Sequence, residues 1–154
     1  AKQMSIYLVQ HGASLPKEAD TDQGLSDAGI AAVTRIACLA MDNEVVVNRI
    51  LHSGKKRARQ TAEIMARALQ PRDGVHAQAG LNPMDDVEDY ARGLVDHDRY
   101  MLVGHLPFLG RLVSYLITGS ADRPVCQFQN GGMVCLDRSQ DHWVIRWMLM
   151  PKID

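Results

Sequence analysis

Two histidines close two apolar runs in this chain. Ile6-Tyr7-Leu8-Val9-Gln10 ends at His11-Gly12, and Tyr100-Met101-Leu102-Val103-Gly104 ends at His105-Leu106-Pro107. A neutral imidazole has a lone pair to offer at pH 7, because its ordinary pKa is about 6.5, so such a ring can act as a covalent nucleophile or a metal ligand. A short run that is apolar at successive positions reads as a strand buried on both faces, the pattern of a parallel sheet. In open α/β sheets ligands bind beyond the carboxyl ends of the strands. Two histidines at two such ends can therefore face each other across one crevice, and Gly12 is expected to let the backbone turn and approach a bound group closely. A third stretch, Ser53-Gly54-Lys55-Lys56-Arg57-Ala58-Arg59-Gln60-Thr61-Ala62, follows the apolar run Arg49-Ile50-Leu51-His52. On its own its basic run describes a solvated helix start as well as an anion site.

The elements that must position these residues follow from periodicity and punctuation. Ser26 is a suitable N-cap, and Ile30, Val33, Ile36, Ala37 and Ala40 recur at helical spacing, which predicts a helix over 27–41 packed on the sheet. A strand at 48–52 leads into a helix carrying Ala58, Ala62, Ile64, Met65 and Leu69 and ended by Pro71. A short third strand at 74–79, a helix over 86–96, a fourth strand at 99–103 and a helix from Pro107 to about 117 come next. Met133–Leu136 and Trp143–Met148 read as a hairpin around Ser139-Gln140-Asp141, an antiparallel addition at one sheet edge. The alternation predicts a three-layer α/β/α domain with a mostly parallel sheet, one domain over 1–154.

Bulk properties exclude several classes. The formal net charge is −1 and aromatic residues make up only 5%, which argues against a nucleic-acid surface, a base-stacking platform or an anionic-membrane surface. No apolar run approaches the roughly 18–20 residues of a membrane span. Three cysteines, Cys38, Cys126 and Cys135, show no C-x-x-C spacing and read as reduced, mostly buried thiols of a cytoplasmic protein. The familiar zinc spacings are absent as well.

Taken together, Gln10-His11-Gly12, the 53–62 segment and Gly104-His105 resemble the signatures of the histidine phosphatase superfamily: Arg-His-Gly, Ser-Pro-x-x-Arg-Ala-x-Gln-Thr and a late Gly-His. Within it the chain is similar to the small SixA-type phosphohistidine phosphatases in its length, in Gly104-His105-Leu106-Pro107-Phe108-Leu109-Gly110, in the loop Leu81-Asn82-Pro83-Met84-Asp85-Asp86, and in Trp147-Met148-Leu149-Met150-Pro151. It departs from the pattern at Gln10, where the family has arginine, and at Gly54, where proline is usual. The resemblance implies a phosphoglycerate mutase-like fold and a phosphatase without cofactor or metal. His11 would be the nucleophile, Arg57 and His105 would hold the phosphoryl group, and Arg57 can grip two oxygens at once. Gln10 and Gly12 would also face phosphate, with Lys17 supplying charge that Gln10 lacks, as Lys55 and Lys56 could. Ser53 would either touch phosphate or cap the helix. Asp86, with Asp85 beside it, would be either a general acid or a carboxylate favoured at a helix N-terminus.

The partners so implied are a phosphorylated protein of the histidine phosphotransfer type or a small phosphate ester, with no nucleic acid and no membrane. A binding module that holds phosphoryl groups without turnover is the competing class, and Gln10 is the feature that favours it. A sugar-phosphate mutase is disfavoured by the short chain, which lacks insertions to enclose such a substrate.

Overall fold

The computed structural model describes residues 3–153. Six strands form one sheet in the order β3-β2-β4-β1-β5-β6. The strands are β1 (Met4–Gln10), β2 (Arg49–His52), β3 (Val75–Ala77), β4 (Tyr100–Gly104), β5 (Met133–Ser139) and β6 (His142–Leu149). β1, β4, β2 and β3 pair in parallel, while β5 runs antiparallel to β1 and β6 antiparallel to β5 at the edge. The expected mostly parallel sheet with an antiparallel C-terminal hairpin is what the chain forms.

Both faces of β1 are covered, so its side chains alternate between two cores. Tyr7 and Val9 pack with Val33, Ile36, Ala37 and Ala40 of α1 (Asp27–Asp42) and with Ala58, Ala62, Ile64 and Met65 of α2 (Lys56–Leu69). Ile6 and Leu8 pack on the other face with Val87 of α3 (Val87–Arg92) and with Phe108, Leu109, Leu112 and Val113 of α4 (Phe108–Thr118). Two helices cover each face. This alternation explains the apolar runs: a strand covered on both sides has no polar face.

Several local expectations are corrected. The helix predicted over 86–96 breaks at Gly93 into α3 and a 3-10 turn at Leu94–Asp96, because Gly93 leaves helical backbone at its C-cap. Ile30 belongs to the helical repeat but stands 42% exposed, since it falls on the outer side of α1 while Gly29 and Val33 face inward. α2 ends with Gln70 in left-handed conformation at φ 48°, one residue before Pro71. Of the three thiols only Cys135 is buried; Cys38 is exposed and Cys126 half-buried.

α1 is docked to the end of β1 at very short range. Ser26 caps α1 by accepting from Gly29 N–H at 3.0 Å, and Ser26 N–H donates to Ala13 O at 3.0 Å. A Cβ on Gly29 would overlap the Ala13 carbonyl, and one on Gly12 would lie 2.7 Å from Val33 Cγ2. Gly12 does not have a positive φ, and its missing Cβ admits α1. Gly29→Ala is expected to lower unfolding stability by at least about 2 kcal/mol, because the obstacle is backbone that cannot yield without moving the helix. A urea midpoint equal to that of the native protein would show that α1 docks less tightly than this.

Candidate active site

The sheet delivers three side chains to one place. In the parallel register Gln10 pairs with Gly104 and His52 with Val103. The next residues, His11, His105 and Ser53, therefore emerge side by side at the carboxyl ends of β1, β4 and β2. β1 and β4 flank the point where the strand order reverses, the place where such sheets form a ligand crevice. The two imidazole centroids lie 5.0 Å apart, and Ser53 Oγ shares a 2.6 Å hydrogen bond with His105 Nε2.

His11 is oriented by its own backbone. Its Nδ1 lies 2.7 Å from Gly12 O. A carbonyl oxygen only accepts, so Nδ1 carries the proton and Nε2 keeps its lone pair. Burial pushes the His11 pKa below the ordinary value, the Gly12 hydrogen bond pulls it back up, and the positive charge of Arg57 lowers it again. His105, 1% exposed, is pushed down to about 3 by burial first and then by the charges of His11, Arg57 and Lys55. Both rings are thus neutral at pH 7. The Arg57 guanidinium, which acts on both rings, has no side-chain hydrogen bond or ion pair among the described residues.

Two residues of the basic segment brace the His11 turn and the loop after it without touching the imidazole. Thr61, fully buried, accepts from Gly12 N–H at 3.0 Å and donates to Arg57 O at 2.8 Å, joining the His11 turn to the helix that carries Arg57. Gln60 Oε1 accepts from Leu25 N–H at 2.7 Å and holds the loop ahead of α1. The Gln-Thr pair was visible in the sequence as part of a pattern, yet nothing local announces these bonds, whose partners lie 49 and 35 residues away. On the other side Asn130 Nδ2 donates to His11 O at 3.1 Å, a contact with no sequence signal.

The remaining expected residues are distributed unevenly. Gln10 lies at the end of β1, 8% exposed, with an amide oxygen that has no hydrogen-bond partner among the described residues. Ser53 does not cap α2: the N-cap is Lys55, whose N–H donates to Ser53 Oγ at 3.3 Å. Gly54 has φ 92°, a backbone closed to proline, and its N–H donates to His52 Nδ1 at 3.1 Å. Lys17 stands in an exposed turn, and Lys56 is bound to Asp20 at 2.8 Å. Asp86 caps α3 by accepting from Glu88 N–H at 2.9 Å, and Asp85 accepts from Asn82 N–H at 2.8 Å. Both line an open cleft of about 510 Å³ with Gln78, Gly80, Tyr90 and His97, a lining that includes none of His11, Ser53, Arg57 or His105. Among the described residues no group of three or more His, Cys, Asp or Glu is placed to hold a metal ion, and no helix is long and apolar enough to cross a membrane.

Thr61→Val tests the positioning role. It leaves the Gly12 N–H buried without an acceptor, at a cost of about 1–3 kcal/mol. Stability and kcat/KM are expected to fall together, with Thr61→Ser restoring both; a kcat/KM unchanged in Thr61→Val would show that the His11 turn holds its shape unaided.

Comparison with known proteins agrees with this geometry. Residues 6–89 match the histidine phosphatase superfamily (branch 1). The chain is 26% identical over 154 residues to the phosphohistidine phosphatase SixA of Escherichia coli (strain K12), covering 96% of this chain and 94% of that one. A structure of the protein histidine phosphatase SixA complexed with tungstate superposes with a TM-score of 0.82 at 22% identity, over 96% of this chain and 97% of the other. The alpha-ribazole phosphatase of Shigella flexneri shares the fold at a TM-score of 0.75 and 18% identity, over 98% of each chain. With its sheet, its paired strand-end histidines and its sequence all in agreement, the chain belongs to the histidine phosphatase superfamily.

Proposed function

We propose that this protein is a metal-independent phosphatase that works through a phosphorylated His11, and that its substrate is a phosphohistidine on a protein of the histidine phosphotransfer type. Membership in the superfamily supports a phosphoryl hydrolase, and the likeness to SixA supports the substrate class. The observation that carries the catalytic reading is the 2.7 Å contact of His11 Nδ1 with Gly12 O, which reserves the Nε2 lone pair for attack.

Nε2 of His11 attacks phosphorus in line, so that a P–N bond forms while the bond from phosphorus to the leaving group breaks. Phosphoryl transfer asks for positioning and positive charge around the equatorial oxygens. Arg57 and His105 supply the grip, helped by N–H groups at the start of α2. Water then attacks the phosphorylated His11, the P–N bond breaks, and inorganic phosphate leaves. One proton goes to the leaving group and one comes from the attacking water, so the cycle balances. When the leaving group is an imidazole it needs less help from an acid than an alkoxide does. That suits a site in which Asp86 is engaged as a helix cap.

One observation favours a second reading, a module that holds phosphoryl groups without turnover. Gln10 brings a neutral amide to a position where the family has arginine, and hydrogen bonds to charged groups are worth about 1.5–3 kcal/mol against about 1 for neutral ones.

Trapping separates the two. After incubation with a labelled phosphodonor and an acid-free quench, mass spectrometry is expected to find phosphate on His11, and His11→Ala to abolish turnover while the fold persists. Turnover that survives in His11→Ala would remove the central claim, whereas tungstate binding without any labelling would establish the binding module. The pH profile adds an independent check. His11 attacks only when neutral and its pKa is lowered, so the acid limb of kcat/KM belongs below pH 6.5. Arg57→Ala removes a charge that lowers this pKa, so the limb should move to higher pH in that variant.

A further inference from the structure

A phosphoryl group brings up to two negative charges to a pocket in which Gln10 stands where the resembled pattern has arginine. The structure decides which cation is free to answer. Lys56 Nζ is 2.8 Å from Asp20 Oδ2, an oxygen that also accepts Gly24 N–H at 2.9 Å, and so serves to fasten the 15–24 loop to α2. Arg59 lies on the outer side of α2, 3.5 Å from Glu63. Lys17 is exposed in a turn built on Pro16, whose carbonyl accepts from Ala19 and Asp20 N–H. Lys55 is different. It is exposed, has no side-chain ion pair or hydrogen bond among the described residues, and its backbone N–H donates to the same Ser53 hydroxyl that bonds His105 Nε2.

Resting on the phosphatase reading above, we propose that Lys55 is the second cation of the phosphoryl pocket, carrying the positive charge that Gln10 lacks, and that the Gly54 turn delivers it there. The two departures from the family pattern then belong together. Gly54, at φ 92° and tied to His52 Nδ1, turns the chain so that Ser53 faces His105 and Lys55 becomes the N-cap of α2 one hydroxyl away from the imidazole. A proline at 54 could adopt neither that φ nor that bond. The flexible lysine stem can carry its ammonium to the open side of the pocket, to meet phosphoryl oxygens as a point charge. Gln10, buried at the end of β1, brings no charge of its own. The positive charge of Lys55 already acts on His105 together with that of Arg57.

Tungstate affinity, measured by calorimetry at low salt, tests this without requiring turnover. Lys55→Met is expected to weaken binding about 5- to 30-fold, the range of one charge-assisted contact, and to flatten the salt dependence, whereas Lys55→Arg stays within about threefold of the native protein. Gln10→Arg should tighten binding, and the loss caused by Lys55→Met should shrink in the Gln10→Arg background, a non-additivity that a double-mutant cycle reads directly. Lys55→Met binding like the native protein in both backgrounds would overturn the proposal, as would a loss found in Lys17→Met instead. A native protein that binds no tungstate at all would overturn the phosphatase reading itself, and this proposal with it.

Discussion

His11 reaches its place because its backbone N–H donates to Gly104 O at 3.0 Å, the last bond of the parallel ladder between β1 and β4. Everything else at the site depends on that register. Side chains alternate along a strand, so a slip of one residue would send His11 to the other face of the sheet and bring Gln10 into its position. The slip is prevented far from the site, by Ile6 and Leu8 in one core and Tyr7 and Val9 in the other, which would have to exchange environments. The same ladder extends to β2 and sets Ser53 beside His105. Core packing thus determines the site geometry to the residue.

The site so assembled is electrically unsatisfied. Two imidazoles 5.0 Å apart share the neighbourhood of Arg57 and are held neutral by burial and by that charge. Gln10 Oε1 and His105 Nδ1 are buried without hydrogen-bond partners among the described residues. Buried polar groups without partners cost stability and persist where something compensates. In the proposed reading a bound phosphoryl group would answer the unpaired charge of Arg57 and favour protonation of the ring that holds it.

The surroundings keep these groups in place. α1 presses on Gly12 from one side, Thr61 holds its N–H from another, and Asn130 and Gly131 bond the His11 carbonyl from the third. The Asp20–Lys56 pair gathers the loop between β1 and α1 onto α2, and the Asp20 carboxyl, held by the Lys56 ammonium and by two backbone N–H groups, falls to about 2. Its role is to close a loop, and Lys56 is thereby occupied away from the histidine pair.

Much of the fold was legible because local patterns carry it. The apolar runs at Ile6–Val9 and Tyr100–Val103 could only be strands buried on both faces, Ser26 marks the start of α1, and the turn at 139–141 separates two strands that pair with each other. His11, Arg57 and His105 could be singled out because their neighbours form a recognisable pattern. Residues whose meaning lies in a distant partner were not legible. Neither the acceptor that Thr61 offers to Gly12, nor the pairing of Lys56 with Asp20 that leaves Lys55 free, nor the absence of space for a side chain at Gly12 has any local signature. Ile30 obeyed the helical period and still faced outward, since periodicity defines a stripe but not where the neighbouring layer ends. The chain by itself determines which residues can form a strand, a cap or a nucleophile, because these follow from a few adjacent side chains. Which of them meet, and which charge is left unpaired when they do, is decided only when segments dozens of residues apart are packed into contact.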